Sequence, residues 1–256
     1  MPRQFLSGRL ATSIAILALF APLVHAAPTE QSRRAEADQV LERYFEKIGG
    51  REKFATARGE YIAIEIRDPK QSHLPYYFEL CFSYEDPRGA TRIHSNNITL
   101  LSAYDHDKGW AIRKAPGQMA ALKARSEASI EAALVDWRGN FEVLTHRLAK
   151  RDPDVYATMG EGPYEGWLII HEKEEPVFRL VINEEGEPVQ FERILDGTKV
   201  HFGPLVSFGD YSFPSNGRFA GTFNNFDFHI FRLIPESLTK AFTPPVDIGN
   251  PVMDCR

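Results

Sequence analysis

Between Gln31 and Ile48 the apolar residues Ala37, Val40, Leu41, Tyr44, Phe45 and Ile48 recur at helical spacing, and Gly49-Gly50 closes the run as a glycine stop does. This predicts one amphipathic helix. A short second helix over Arg51 to Arg58 returns Phe54 to the first. The period then drops to two: Ile62, Ile64 and Ile66 alternate with Ala63 and Glu65, and Tyr76, Phe78, Leu80, Phe82 and Tyr84 alternate with Tyr77, Glu79, Cys81 and Ser83. Both segments read as strands with one apolar face. Asp86-Pro87-Arg88-Gly89 supplies a turn, Thr91 to His94 and Ile98 to Tyr104 continue the sheet, and a loop over Asp105 to Gly109 leads to Trp110-Ala111-Ile112.

Helical sequence then interrupts the strands. Between Gln118 and Leu148 an alanine-rich stretch carries Ile130, Leu134, Trp137 and Phe141 at spacings of four, three and four, an amphipathic stripe on one or two helices. Strands resume afterwards over Val155 to Met159, Tyr164 to His171, Pro176 to Asn183, Pro188 to Leu195, Lys199 to Phe202, Leu205 to Phe213 and Phe223 to Leu233. Short turns such as Gly160-Glu161-Gly162 and Asp196-Gly197 join most of them, as antiparallel neighbours require. The expected class is α+β, mainly antiparallel β, with about ten strands: a half-open curved sheet or incomplete barrel with an N-terminal helix and a helical lid insert.

The first residues change the picture of where such a fold works. Arg3 and Arg9, the apolar run Leu10 to Val24 and the small residues around Val24-His25-Ala26 form an export signal over residues 1–26, leaving one domain over 27–256. The expected product is periplasmic or secreted, and soluble once the signal is cleaved. Removing the signal leaves 28 basic against 35 acidic residues, a net charge of −7. That balance argues against nucleic acid or an anionic membrane surface as partner. Cys81 and Cys255 are the only cysteines. In an exported protein they can form a disulfide or stay as two thiols, and sequence leaves both open.

Motifs for chemistry are missing. The seven histidines beyond the signal show no HxH, HExxH or clustered Cys/His spacing, so no metal site is expected. Asp105, Asp107 and Gly109 begin like a calcium loop but lack its later ligands. No GxSxG elbow, phosphate loop or GxGxxG turn occurs, so no cofactor and no catalytic residue is assigned. The positive signal is the apolar load on the strand faces. Ile62, Ile64, Ile66, Phe78, Leu80, Phe82, Trp110, Trp167, Phe226 and Phe228, with Ile130, Leu134 and Trp137 from the helical stripe, are the candidate ligand-binding residues. They make a filled core if the sheet packs fully against the helices, and an apolar cavity if it does not.

The order of elements resembles the LolA-like class of outer-membrane lipoprotein-sorting proteins. The resemblance is carried by Tyr44-Phe45-Glu46-Lys47-Ile48-Gly49-Gly50-Arg51-Glu52-Lys53-Phe54, by Tyr104-Asp105-His106-Asp107-Lys108-Gly109-Trp110, by the helical insert and by Phe242-Thr243-Pro244-Pro245. It implies a half-open antiparallel barrel that holds a hydrophobic ligand under a helical lid. A lipid or acylated lipoprotein is then the expected partner, with an envelope membrane protein as a further one. The family's arginine-proline hairpin is reversed here to Pro87-Arg88, with Arg92 beyond it. Two other readings stay open: a secreted hydrolase of lipid or envelope material with His201 or His229 as base, and an envelope interaction module with a filled interior.

Overall fold

Thr29 opens the first helix, its hydroxyl accepting a hydrogen bond from the Ser32 N–H at 3.2 Å, and α1 runs over Glu30–Ile48. The computed structural model describes residues 29–67, 76–95, 97–220, 225–236, 238–249 and 253–255. The expected export signal therefore lies outside the described residues. Positive φ at Gly49 and Gly50, +123° and +106°, ends α1 and turns the chain into α2, Arg51–Thr56. Phe54 returns to Phe45 as the spacing predicts, with ring centroids 6.2 Å apart.

The strands follow as β1 (Gly59–Arg67), β2 (Tyr76–Ser83), β3 (Arg88–Ser95), β4 (Ile98–Asp105), β5 (Lys108–Lys114) and β6 (Ala121–Ala124). Strand β6 is a correction, because the alanine-rich start of the expected helical insert instead pairs with β5 as an edge strand, exposed at all four positions. Only two residues, His106 and Asp107, link β4 to β5, with His106 at φ 56°; the calcium-like spacing is a hairpin turn. Helices α3 (Glu127–Arg138) and α4 (Phe141–Ala149) are separated at Gly139-Asn140, where the Asn140 side chain accepts from the Val143 N–H at 2.9 Å and caps α4.

The second half comprises β7 (Val155–Met159), β8 (Leu168–Glu172), β9 (Glu175–Ile182), β10 (Pro188–Arg193), β11 (Lys199–Phe202), β12 (Leu205–Phe208), β13 (Tyr211–Pro214), β14 (Asn216–Phe219) and β15 (Asn225–Ile234), then α5 (Thr239–Phe242). One expected strand is thus divided and one unexpected strand is added. Leu205 to Phe213 folds at Gly209-Asp210 into a separate hairpin of β12 and β13, and β14 comes before the last strand. Thirteen described strands form one antiparallel sheet in the order β6-β5-β4-β3-β2-β1-β15-β14-β11-β10-β9-β8-β7. No barrel closes. The α3–α4 pair is the connection between the two edge strands, β6 and β7.

Both faces of the sheet carry a core. One face packs Ile62, Phe178, Leu180, Leu168, Ile170 and Phe231 against α1, α2 and α4 through Leu41, Phe45, Phe54, Phe141 and Leu144. On the other face Cys81, Leu101, Trp110 and Ile112 pack under α5 and the C-terminal segment, through Leu238, Phe242 and Cys255. A bulge at β15 keeps the first core continuous. Ile64 lies opposite Phe228 but Ala63 lies opposite Ile230, so the intervening His229 is extra, and Phe226, Phe228, Phe231 and Leu233 share the inner face. Ile230 is exposed in consequence. No helix of the described residues is long and apolar enough to cross a membrane.

Candidate functional site

Alternation places Ile62 and Ile64 of β1, Leu80 of β2 and Phe226 and Phe228 of β15 on the inner face, where Ile62 lies opposite Leu80 and Phe231 and Ile64 lies opposite Phe78 and Phe228. The sheet order then brings β14, β11 and β10 alongside, adding Phe219, Val200, Phe202 and Phe191. Phe141 and Phe178 complete the apolar wall, their rings edge to face at 6.0 Å, while Phe141 stacks on Phe191 at 5.8 Å. Together these residues line an open cavity of about 410 Å³. That falls within the roughly 300–1,000 Å³ of small-molecule sites.

Few polar groups enter this cavity. Asp136, Asn140 and Glu142 come from the α3–α4 junction, and Arg193 and Thr198 from the end of β10 and the turn after it. Arg193 is already paired, with Asp136 at 3.2 Å and with Asp196. These bonds hold the Asp196 carboxyl well below its usual range, the Arg193 hydrogen bond contributing most. Glu142 differs. It forms no ion pair among the described residues, and burial pushes its carboxyl up to about 7.

Behind Glu142 lies a second acid. Glu60 shares the inner face of β1 with Ile62, is wholly buried, and takes a 2.7 Å hydrogen bond from the Tyr84 hydroxyl on one oxygen. Its other oxygen has no partner. Burial first, and the charge of Glu142 second, raise the Glu60 carboxyl well above its ordinary range; the Tyr84 bond acts weakly in the opposite sense. Tyr84 stacks on His146 at 4.7 Å, and the His146 Nδ1 lies 2.7 Å from the Phe54 carbonyl oxygen; burial depresses that imidazole, outweighing the Phe54 hydrogen bond, which acts to raise it.

The other sequence candidates fall elsewhere. Phe82 lines the cavity, but Ile66 and Phe78 share its face of the sheet without lining it. Trp110 is on the outer face, its Nε1 donating to the Phe242 carbonyl oxygen at 2.8 Å. Ile130 is buried in α3 and Leu134 half-buried, neither reaching the cavity wall, and Trp167 sits half-buried before β8. Trp137 packs on the inner core and fastens α3 to the end of β2, its Nε1 donating to the Ser83 carbonyl oxygen at 2.7 Å. Arg88 pairs with Asp105 at 2.9 Å, and Arg92 pairs with Glu79 at 2.7 Å on the face away from Leu80.

His201 and His229, the bases of the hydrolase reading, are both exposed, and His229 lies 3.3 Å from Glu65. Neither lines the cavity. Cys81 and Cys255 are free thiols, both buried, and hydrogen-bond to one another. No group of three metal-binding side chains occurs among the described residues. A larger cleft of about 900 Å³ borders Trp137 and His146; of its basic wall residues Arg138, Arg147, Lys150 and Lys173, Arg147 is bound by Asp152 at 2.8 Å and by Glu172. The apolar cavity is the better candidate because its wall is mostly aromatic and its lining acid Glu142 forms no ion pair among the described residues. Glu60 and Glu142 were not anticipated from sequence. No protein-family model matches the chain, and no curated protein matches it.

Proposed function

We propose that this protein is an exported, soluble binder or carrier of a hydrophobic ligand, a lipid or a lipoprotein acyl chain, in the bacterial envelope. The observation that carries the reading is the phenylalanine-walled cavity between the open sheet and the α3–α4 connection. Burying about ten methylenes there contributes roughly 8 kcal/mol before the cost of association, enough for useful affinity without covalent chemistry. In this reading the sheet is a half-open barrel and α3–α4 its lid. Two contacts tie α3 to the sheet, the Trp137 bond to Ser83 and the Asp136–Arg193 ion pair. Both can break and re-form without disturbing a strand. A delivery partner in a membrane would have to loosen them.

The reading is tested by native extraction of the purified chain with lipid mass spectrometry, together with uptake of a fluorescent fatty acid. Co-purified lipid or saturable uptake supports it; absence of both removes it. Fractionation of cells carrying the tagged full chain tests export independently, and a tag retained with the cytoplasm overturns that half of the proposal.

A further inference from the structure

The cavity is largely apolar, yet its wall holds a carboxyl that forms no ion pair among the described residues. Glu142 lines the wall, and Glu60 behind it keeps one oxygen without a hydrogen bond while wholly buried. Leaving a buried acceptor unsatisfied is costly, and two neighbouring carboxyls without a counter-charge are costlier still. The charged groups lining the cavity are Asp136, Glu142 and Arg193, and the ion pair between the first and last leaves Glu142 as the one unpaired charge there. A ligand that supplies hydrogen-bond donors and positive charge at Glu142 would complete the site.

We propose that the cavity takes a basic amphiphile, a molecule with an apolar body among the phenylalanines and a primary or secondary ammonium head that donates to Glu142. Three features converge on that head. The Glu142 carboxylate gives a charge-assisted acceptor on a largely apolar wall. The walls add ring faces from Phe141, Phe191 and Phe226, which attract a cation and do not attract an anion. The chain as a whole is acidic, so its field favours a cationic ligand over a fatty acid or a phosphate. An acyl chain ending in a methyl group would leave the carboxyl unmet. This inference rests on the reading of the cavity as a ligand site and narrows it to one head group.

The test compares dodecylammonium, dodecanol and dodecanoate, equal in chain length, as displacers of the neutral fluorophore N-phenylnaphthylamine from the full chain. The amine should displace at roughly tenfold lower concentration than the carboxylate, with the alcohol between them. In Glu142→Gln the advantage of amine over alcohol should shrink to about twofold or less, since an amide cannot form the ion pair. A carboxylate equal to or better than the amine overturns the head-group assignment, as does an amine advantage that survives in the variant. Fluorophore displacement that is absent for all three probes removes the cavity as a ligand site and with it the function proposed above. The comparison on the unaltered chain stands alone should the variant not fold.

Discussion

The Glu60 carboxylate is wholly enclosed and hydrogen-bonded by the Tyr84 hydroxyl at 2.7 Å, yet its other oxygen meets nothing, and the neighbouring acid is Glu142. Burial raises both carboxyls, Glu142 to about 7. The folded chain therefore holds protons that the unfolded chain has already released; Glu142 withdraws stability as pH rises from the ordinary glutamate range through about 7, and Glu60 acts in the same direction. His146, depressed by burial, acts in the opposite sense, losing stability as pH falls through the ordinary histidine range. The variant difference isolates the carboxyl. Glu142→Gln should exceed the parent in stability by on the order of 3 kcal/mol near pH 8, with the gap closing toward pH 5, as read by urea unfolding. A gap that is constant with pH would refute the buried-carboxyl assignment.

The bond from Trp137 to the Ser83 carbonyl is one of two ties between α3 and the sheet. Trp137→Phe keeps most of the packing and removes the donor, a loss of about 1 kcal/mol. If α3 gates the cavity, release of an apolar fluorophore should accelerate by roughly fivefold in stopped-flow measurements. A release rate equal to the parent's would take α3 out of the gating role.

Val200 stands on the cavity wall between Phe191 and Phe219, opposite each in register. Val200→Phe should fill part of the space, costing at most about 1–3 kcal/mol in unfolding free energy. Fluorophore capacity should fall at least tenfold by titration, well beyond what that stability change explains. Unaltered binding in the folded variant would place the ligand elsewhere.

What was legible in the sequence followed local periodicity. The α1 stripe is buried at Ala37, Leu41, Tyr44, Phe45 and Ile48, and the β1 and β2 alternation put Ile62, Ile64, Leu80 and Phe82 on the cavity wall. Strand β6 was hidden because its four exposed residues carry no alternation, and only pairing with β5 makes them a strand. Trp110 went astray for another reason. Period two separates two faces but does not say which is inner, and here both faces carry a core. Phe191, Phe202 and Phe219 join the cavity through the order β15-β14-β11-β10, a long-range pairing that no local pattern reveals. Glu60 did leave a trace, an acid in phase with Ile62 and Ile64 on the apolar face of a strand.

On the opposite face, Cys81 and Cys255 hydrogen-bond across a core closed by Trp110, Leu238 and Phe242. That bond, followed by burial, raises the Cys81 thiol above the ordinary cysteine range, so the reactive thiolate is suppressed. In the native chain neither cysteine should be alkylated by iodoacetamide within the time that labels both in urea. Diamide should take two electrons and two protons from the pair, forming one intramolecular disulfide as it is reduced to the hydrazine. Because the linked residues lie far apart in sequence, the bond would restrict the unfolded chain strongly and add roughly 2–4 kcal/mol to stability. Thermal unfolding with and without diamide measures that gain, and Cys255→Ser should abolish it. Rapid native alkylation, or a disulfide that forms only between two molecules, would show that the C-terminal segment does not hold Cys255 against Cys81.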